Sequence, residues 1–474
     1  MRVLLINPPC LNEISADDPT FLGKERGFNP PLGLLYLAGY LKKKGRHQVF
    51  GLDAQVESLG YNDEFKQRIK EINPDAVGIT AMTFTLIDVL KTIDLIKEVE
   101  EKLNKKIIII LGGPHAHLFP QETIKLKNVD FLIKGEGEVS FFYLLEALEG
   151  RGQLKDIKGL VYQKEGEIID NPVGDFIENL DELPFPDRKL LPIKKYHSIL
   201  GGGRVVTTMF TSRGCPYHCA FCDRPHLGKK FRARSAKNIV NEMEECLKLG
   251  IEEILIYDDT FTVNRKRVFD ICDEIIKRDL KLVWDIRARV DTVDEKMLRK
   301  LKQAGCQRIH FGIEAGTEKI LKVLNKGLHL NQIEEIFRLA KKIGFKTLAY
   351  FMIGAPTETR EDVLETIKFA KKINPDYAHI AILTPYPATK IYEQALEEGV
   401  IKNDYWREFA RRPEQGVTTQ YWEKELSREE LLYFLKKFHK DFYWQPSYIF
   451  KELLKINSLG DFKKKIKIAF KILK

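Results

Sequence analysis

The chain has 474 residues, enough for two or three domains with cores of their own, and its 44% hydrophobic and 31% charged content excludes a disordered or fibrous chain. The formal charge of +9 is uneven: residues 451–474 carry eight lysines against Glu452 and Asp461, six of the nine excess charges, and no basic face with interleaved aromatics points to nucleic acid. No run of about 18 apolar residues spans a bilayer, and Met1-Arg2-Val3-Leu4-Leu5-Ile6-Asn7 enters a strand-like run without the parts of a secretory leader, so a cytoplasmic location is expected.

The first 150 residues alternate short apolar runs with amphipathic stretches, which predicts a parallel sheet covered by helices. Strands are predicted at 3–6, 49–52, 76–79, 107–111 and 131–133. Helices are predicted at 31–44, with Pro31 in the first turn and Gly45 after the end, and at 64–72, 86–103 and 139–148. Ligands of such doubly wound sheets bind beyond the carboxyl ends of the strands. There the chain places Asn7-Pro8-Pro9, Thr80-Ala81-Met82-Thr83, Gly112-Gly113-Pro114-His115 and Gly135-Glu136-Gly137-Glu138, loops of mostly small residues.

Residues 151–203 read as a hairpin turning at Lys164-Glu165-Gly166, then a Pro-rich strap around Leu183-Pro184-Phe185-Pro186-Asp187. A second α/β block over 204–400 contains six strand-then-helix units, fitting a partial (β/α)6 barrel better than a closed eightfold one. Residues 401–474 read as a mainly helical region with a basic amphipathic tail. Phe462, Ile466, Ala469, Phe470 and Leu473 share one face of that tail, which suits either a helix docked on the protein or one lying in an anionic membrane interface.

Of seven cysteines only Cys215, Cys219 and Cys222 are clustered, and Cys10, Cys246, Cys272 and Cys306 are scattered, which is not a disulfide framework. Three thiolates just after the first strand of the barrel suggest a metal cluster with one corner open for a small molecule. A zinc ion would need His218 as fourth ligand, yet His218 adjoins Cys219, and neighbours in a short loop do not readily face one tetrahedral centre.

The spacing Cys215-x3-Cys219-x2-Cys222, in phase with six strand-helix units, resembles the radical S-adenosylmethionine (SAM) superfamily. The resemblance implies a [4Fe-4S] cluster on the three thiolates, SAM on its open iron, and reductive cleavage of SAM to a 5'-deoxyadenosyl radical, with the protein positioning and tuning the cofactors. It assigns Phe221 to the adenine, Asp258 and Asp259 to the SAM amino group, and Arg289 to its carboxylate, a task suited to a guanidinium fork. Glu314, within Gly312-Ile313-Glu314-Ala315-Gly316, corresponds to the ribose or methionyl contact, and Gly354 to the adenine-side segment. No residue is singled out as catalytic.

The amino-terminal domain resembles the cobalamin (B12)-binding domain that precedes the barrel in one large subfamily. The matching positions are Asn7, Pro8, Thr80, Thr83, Gly112, Gly113, His115, Gly135, Glu136 and Gly137. Where many cobalamin modules carry the histidine that ligates cobalt from below, this chain reads Asp53-Ala54-Gln55-Val56-Glu57-Ser58, so cobalamin without a histidine lower ligand is expected. The implied reaction is modification of an unactivated carbon by methyl transfer from methylcobalamin. The alternatives are a ring-forming or rearranging reaction, or a non-enzymatic iron-sulfur or corrinoid sensor. Expected partners are a small-molecule or lipid substrate and an electron donor such as ferredoxin or flavodoxin, with no nucleic acid. Membrane contact through 461–474 would place the chain peripherally at the inner face of the membrane.

Overall fold

The structure is a computed structural model that describes residues 1–14, 27–198, 200–222 and 227–453; the basic tail lies outside the described residues. The amino-terminal sheet is built from β1 (Arg2–Asn7), β2 (Gln48–Asp53), β3 (Ala76–Thr80), β4 (Ile108–Gly112) and β5 (Phe131–Ile133). They run parallel in the order β2-β1-β3-β4-β5. Helices α1 (Leu32–Lys44) and α4 (Gly137–Leu148) cover one face, and α2 (Asp63–Ile72) and α3 (Leu86–Leu103) the other. The twofold side-chain period of a strand explains both cores: Val3 and Leu5 join Leu41 and Phe141, whereas Leu4 and Ile6 join Phe65 and Ile96. The order of connection reverses between β1 and β3, which opens a crevice at the carboxyl ends of those strands.

The hairpin expected as part of a linker instead extends this sheet. Its strands β6 (Leu160–Lys164) and β7 (Glu167–Asp170) add antiparallel to β5, making seven strands. The Pro-rich strap then lies across α1. A Cβ on Gly39 would sit 2.3 Å from the Phe185 carbonyl oxygen, so only glycine lets strap and helix approach so closely.

The second block is an open six-stranded parallel barrel: β8 (Val206–Met209), β9 (Glu253–Ile256), β10 (Val283–Ala288), β11 (Cys306–Glu314), β12 (Lys346–Ile353) and β13 (Tyr377–Ile382), paired in chain order. β8 and β13 do not pair with each other, so the barrel is incomplete, as the six repeats predict. The largest apolar core lies between these strands and their outer helices and takes in Cys246, Cys272 and Cys306. Helix Arg428–Tyr443 closes the β13 side, packing Phe438 against Phe351 with ring centroids 5.4 Å apart and the rings tilted by 52°. Helix Tyr405–Arg411 returns to the amino-terminal domain, where Arg407 donates to Glu122 at 2.8 Å. Tyr405, Trp406, Tyr421 and Trp422 are buried packing residues. No helix among the described residues is long and apolar enough to cross a membrane.

Candidate functional site

The cysteine loop is a noose drawn shut at its base. Ser212–Arg213 pairs antiparallel with Arg232–Ala233, and between them Gly214 has φ +83° with its Cα so close to Lys230 that a Cβ would lie 2.2 Å from the Lys230 oxygen. Cys215 and Cys219 are half-buried and Cys222 is exposed. Three hydrogen bonds pin the loop from outside: Ala220 N–H to Leu324 O (2.9 Å), Ile391 N–H to Ala220 O (3.1 Å) and Asn325 Nδ2 to His218 O (2.7 Å). Three thiols on one short loop, presented at the carboxyl end of the first barrel strand, fit a cluster ligand set.

Arg289 stands beside the thiols. Its Nη1 lies 3.8 Å from Cys219 Sγ and its guanidinium covers the Tyr217 ring at 3.9 Å. It is not free to swing: Asp291 accepts a two-pronged pair of bonds at 3.0 and 2.9 Å, and the Lys326 carbonyl accepts Nη2 at 2.6 Å. Burial disfavours its charge, and the bonds to Asp291 outweigh that and raise its pKa.

Glu314 follows β11 with φ +72°, a conformation costly for a side chain that bears a Cβ, next to a register break between Gly312 and Glu314. The strain turns the carboxylate back over Gly312, where it accepts Lys326 Nζ at 2.7 Å; a Cβ at Gly312 would lie 2.5 Å from Glu314 Oε1. Lys326 also sits 5.8 Å above the Phe221 ring centre. This lysine was not anticipated. The only sequence signal was Asn325-Lys326-Gly327, a polar turn between helices, with nothing to tie it to Glu314 or Phe221.

Asp258, expected at the SAM amino group, is instead consumed by the fold. It is fully buried and accepts bonds from Thr211 N–H (2.6 Å), Ser212 N–H (3.0 Å), Ser212 Oγ (2.6 Å) and the Thr211 hydroxyl, with Arg267 at 3.4 Å. Those bonds shape the turn into the cysteine loop and leave no open edge of the carboxylate. Its neighbour Asp259 is half-buried. Gly354 has φ +84°, and its N–H and that of Ala355 both donate to Glu358 Oε2, at 2.6 and 3.0 Å. Burial pushes the Glu358 carboxyl up to about 7, against those two donors.

The loops of the amino-terminal sheet gather at its carboxyl edge. Asn7 Nδ2 donates to Asp53 at 2.8 Å, and Gln55 Nε2 reaches back to the Pro8 carbonyl at 3.1 Å, so the segment after β2 folds onto the Asn7-Pro8 turn. Thr80, Thr83, Gly112, Gly113, Gly135 and Gly137 are partly exposed along this edge. Gly113 has φ +103° and a Cβ there would lie 2.9 Å from the Ala81 carbonyl. His115, expected as a loop residue beside the corrin, lies in the short helix Pro114–Leu118 and is fully buried. Its Nδ1 meets Thr83 Oγ1 at 3.1 Å, and burial holds its pKa down at about 3, so it is a neutral ring that fixes Thr83. Thr80, Gly112, Gly113, Gly135 and Gly137 put small side chains or bare backbone along this edge, a lining that fits the close approach of a corrin. His47, Glu146 and Glu149 also lie together, but the Met1 ammonium, Arg46 and Arg151 already satisfy those carboxylates, so the group is an ion-pair network.

Glu136 proves to be a domain anchor. Its side chain accepts Arg213 Nη1 at 2.7 Å, Arg232 Nη1 at 2.9 Å and the Ile177 N–H at 2.7 Å. Burial alone would raise its carboxyl, and Arg213 and Arg232 hold it below the usual range. Glu138 accepts Arg213 Nη2 at 2.5 Å, and Tyr36 faces the same guanidinium at 5.2 Å. Both arms of the cysteine noose are therefore bound to the loop after β5. That loop at the carboxyl edge of the first sheet is thereby joined to the segment that follows β8.

Comparison with known proteins agrees with this geometry. The model of the B12 binding domain matches residues 21–144 and that of the radical SAM superfamily residues 209–370. The chain is 35% identical over 456 residues, 96% of its own length and 95% of the relative's, to an uncharacterized methyltransferase of Pyrococcus horikoshii. It is 34% identical over 403 residues, 83% of its length and 70% of the relative's, to an anaerobic magnesium-protoporphyrin IX monomethyl ester cyclase of Rubrivivax gelatinosus. In fold it resembles the cobalamin-dependent SAM radical enzyme OxsB with aqua-cobalamin and SAM bound, at a TM-score of 0.76 and 20% identity over 98% of this chain and 69% of that one. With similarity running through both domains and the cysteine noose between them, the chain belongs to the radical SAM superfamily, in the branch of enzymes that carry a B12-binding domain.

Proposed function

We propose that this enzyme transfers a methyl group to an unactivated carbon of a small-molecule or lipid substrate held between its two domains. When bound, the cluster and SAM supply a carbon-centred radical at the substrate, and the cobalamin supplies the methyl group. The observation that carries the reading is the Glu136 anchor: Arg213 and Arg232, the two arms of the cysteine noose, both end on the loop expected at the corrin, so a substrate between the edges meets both cofactors. Cys215, Cys219 and Cys222 hold the cluster in this reading. Phe221, Asp259, Arg289, Glu314, Lys326 and Gly354 surround SAM, and Asn7, Pro8, Thr80, Thr83, Gly112, Gly113, Gly135 and Gly137 line the corrin. Nothing in Asp53-Ala54-Gln55 offers an imidazole to cobalt, which supports a corrin without a histidine below it. An electron donor such as ferredoxin or flavodoxin completes the system.

Ring closure is the second reading, favoured by the likeness to a cyclase. The two separate in one assay. Protein reconstituted anaerobically with iron, sulfide and hydroxocobalamin, then reduced with SAM and a cell extract of small molecules, forms both 5'-deoxyadenosine and S-adenosylhomocysteine if it methylates. 5'-Deoxyadenosine without S-adenosylhomocysteine turns the assignment to ring formation, and neither product refutes the enzyme reading. Membrane contact through the tail predicts that deleting 461–474 abolishes binding to anionic liposomes; undiminished binding refutes it.

A further inference from the structure

The barrel interior is not the apolar plug of a closed eightfold barrel. Along β10, Trp284, Ile286 and Ala288 are buried against the outer helices, so the alternating Asp285 and Arg287 face inward. Deep in the lumen the charges cancel: Arg308 Nη2 bridges Glu253 at 2.6 Å and Asp285 at 2.5 Å, and Arg204 reaches the second Glu253 oxygen at 3.4 Å. At the cofactor end they cancel again, Glu314 with Lys326 and Arg289 with Asp291.

Between these layers runs a belt of half-buried polar rings, Tyr257, His310, Tyr350 and His379, with Arg287 among them. Strand register puts Arg287 beside His310 and Tyr350 beside His379. His310 Nδ1 meets Tyr350 Oη at 3.0 Å, and the Tyr350 and His379 rings are 5.8 Å apart. The Arg287 guanidinium carbon lies 3.6 Å from the Tyr257 ring centre, and the Tyr350 ring is part of the same cluster through His310. Asn29 of the amino-terminal domain donates to Tyr257 Oη at 2.9 Å, so the belt lies against the domain boundary. Asp285, two residues down the strand, is engaged by Arg308 and by His310 at 3.2 Å. Among the described residues Arg287 has no carboxylate partner.

We propose that this belt anchors the substrate and that Arg287 receives an oxyanion of it, a carboxylate or a phosphate group. The proposal rests on the reading of the chain as a radical enzyme acting between its domains, and adds the chemical class of what it acts on. A guanidinium held over a ring by its carbon keeps its N–H groups for other partners, and a planar fork of that kind takes an oxyanion by two parallel bonds. A wholly apolar occupant would bury that charge without a partner, which is unfavourable. The anchored end then lies one layer below Gly312 and the Glu314–Lys326 pair, and the rest of the substrate extends towards the radical.

The test is isothermal titration of inorganic phosphate and, separately, benzoate into the full-length reconstituted protein with SAM saturating, so that SAM's own carboxylate site is filled. The wild type is expected to bind at least one anion, Arg287→Met to bind it at least about tenfold more weakly, and Arg287→Lys to fall between. Stronger phosphate binding identifies a phosphorylated substrate and stronger benzoate binding a carboxylic acid. No binding by wild type, or unchanged binding by Arg287→Met, overturns the proposal. Should Arg287→Met not fold, Tyr350→Phe is read in the same titration: a loss of a few-fold is expected, and unchanged affinity overturns the proposal. Formation of 5'-deoxyadenosine by the wild type is measured independently. Its absence defeats the radical-enzyme reading, whereas its presence with anion binding indifferent to residue 287 defeats only the anchor.

Discussion

Replacing Arg213 by methionine should uncouple the two domains. The Arg213 side chain is 8% exposed and bonds Glu136 and Glu138, themselves 5% and 6% exposed, so the ion pairs are buried. Glu136 keeps Arg232 after the change, but Glu138 loses the cation that donates to it. Removing one partner of a buried pair costs about 3–5 kcal/mol, chiefly from the stranded charge. Loss of the contact over Tyr36 adds about 0.5–2 kcal/mol. All four tryptophans, Trp284, Trp406, Trp422 and Trp444, lie beyond residue 203, so tryptophan fluorescence reports the barrel and its carboxyl-terminal extension, whereas far-ultraviolet circular dichroism reports both domains. In urea, wild-type protein should give coincident transitions by the two probes. Arg213→Met should split them, with the dichroism transition starting earlier. Adding Glu138→Gln should recover about 2 kcal/mol, since the stranded charge is then gone. Coincident transitions, with a loss under about 1 kcal/mol, would show that the pair behaves as a solvated surface contact and would refute the argument.

Lys326→Met should leave the cluster absorbance intact but lower 5'-deoxyadenosine formation at least about tenfold, because Glu314 is left buried without its cation; unimpaired turnover would make the pair merely structural. Glu358 ionises near 4.5 in an unfolded chain and at about 7 in the fold, burial being the main cause. The folded state therefore holds the proton longer, so stability should fall by up to about 3 kcal/mol as pH rises from about 4.5 to 7 and level off above. Glu358→Gln should flatten that slope in urea titrations at pH 5 and pH 8, and an unchanged slope would assign it to other groups. Gly39→Ala should cost roughly 1–3 kcal/mol, since its Cβ would meet the Phe185 carbonyl of the strap. A wild-type urea midpoint would mean the strap is not seated on α1.

The strands were legible because a parallel sheet covered on both faces writes continuous apolar runs, and the runs at β1, β3 and β4 feed two cores at once. The three cysteines were legible because their loop is local in sequence. What sequence order hides is any pairing between distant segments. Arg213 and Glu136 are 77 residues apart, and the corrin edge was read without suspecting that its carboxylate belongs to the cysteine noose. Asp258 was misplaced for a similar reason: a carboxylate at a strand end reads as ligand-facing until the Thr211-Ser212 turn is seen to enclose it. Lys326 and Arg287 were passed over because the first depends on a left-handed Glu314, and the second matters through a partner it lacks rather than one it has. The hairpin was visible in its turn residues, but its docking on β5 depends on an open sheet edge that no local pattern reports.

The shared grip of Glu136 on both arms of the noose bears on how the protein is made. A ribosome releases the amino-terminal domain first, so its carboxylate is already in place when residues 213–232 emerge. The base of the cysteine segment then has its partner waiting, whereas Leu324, Asn325 and Ile391, which pin the loop itself, are synthesised later. A mutation confined to the loop after β5 is therefore expected to lower iron occupancy in cells while leaving every cysteine untouched.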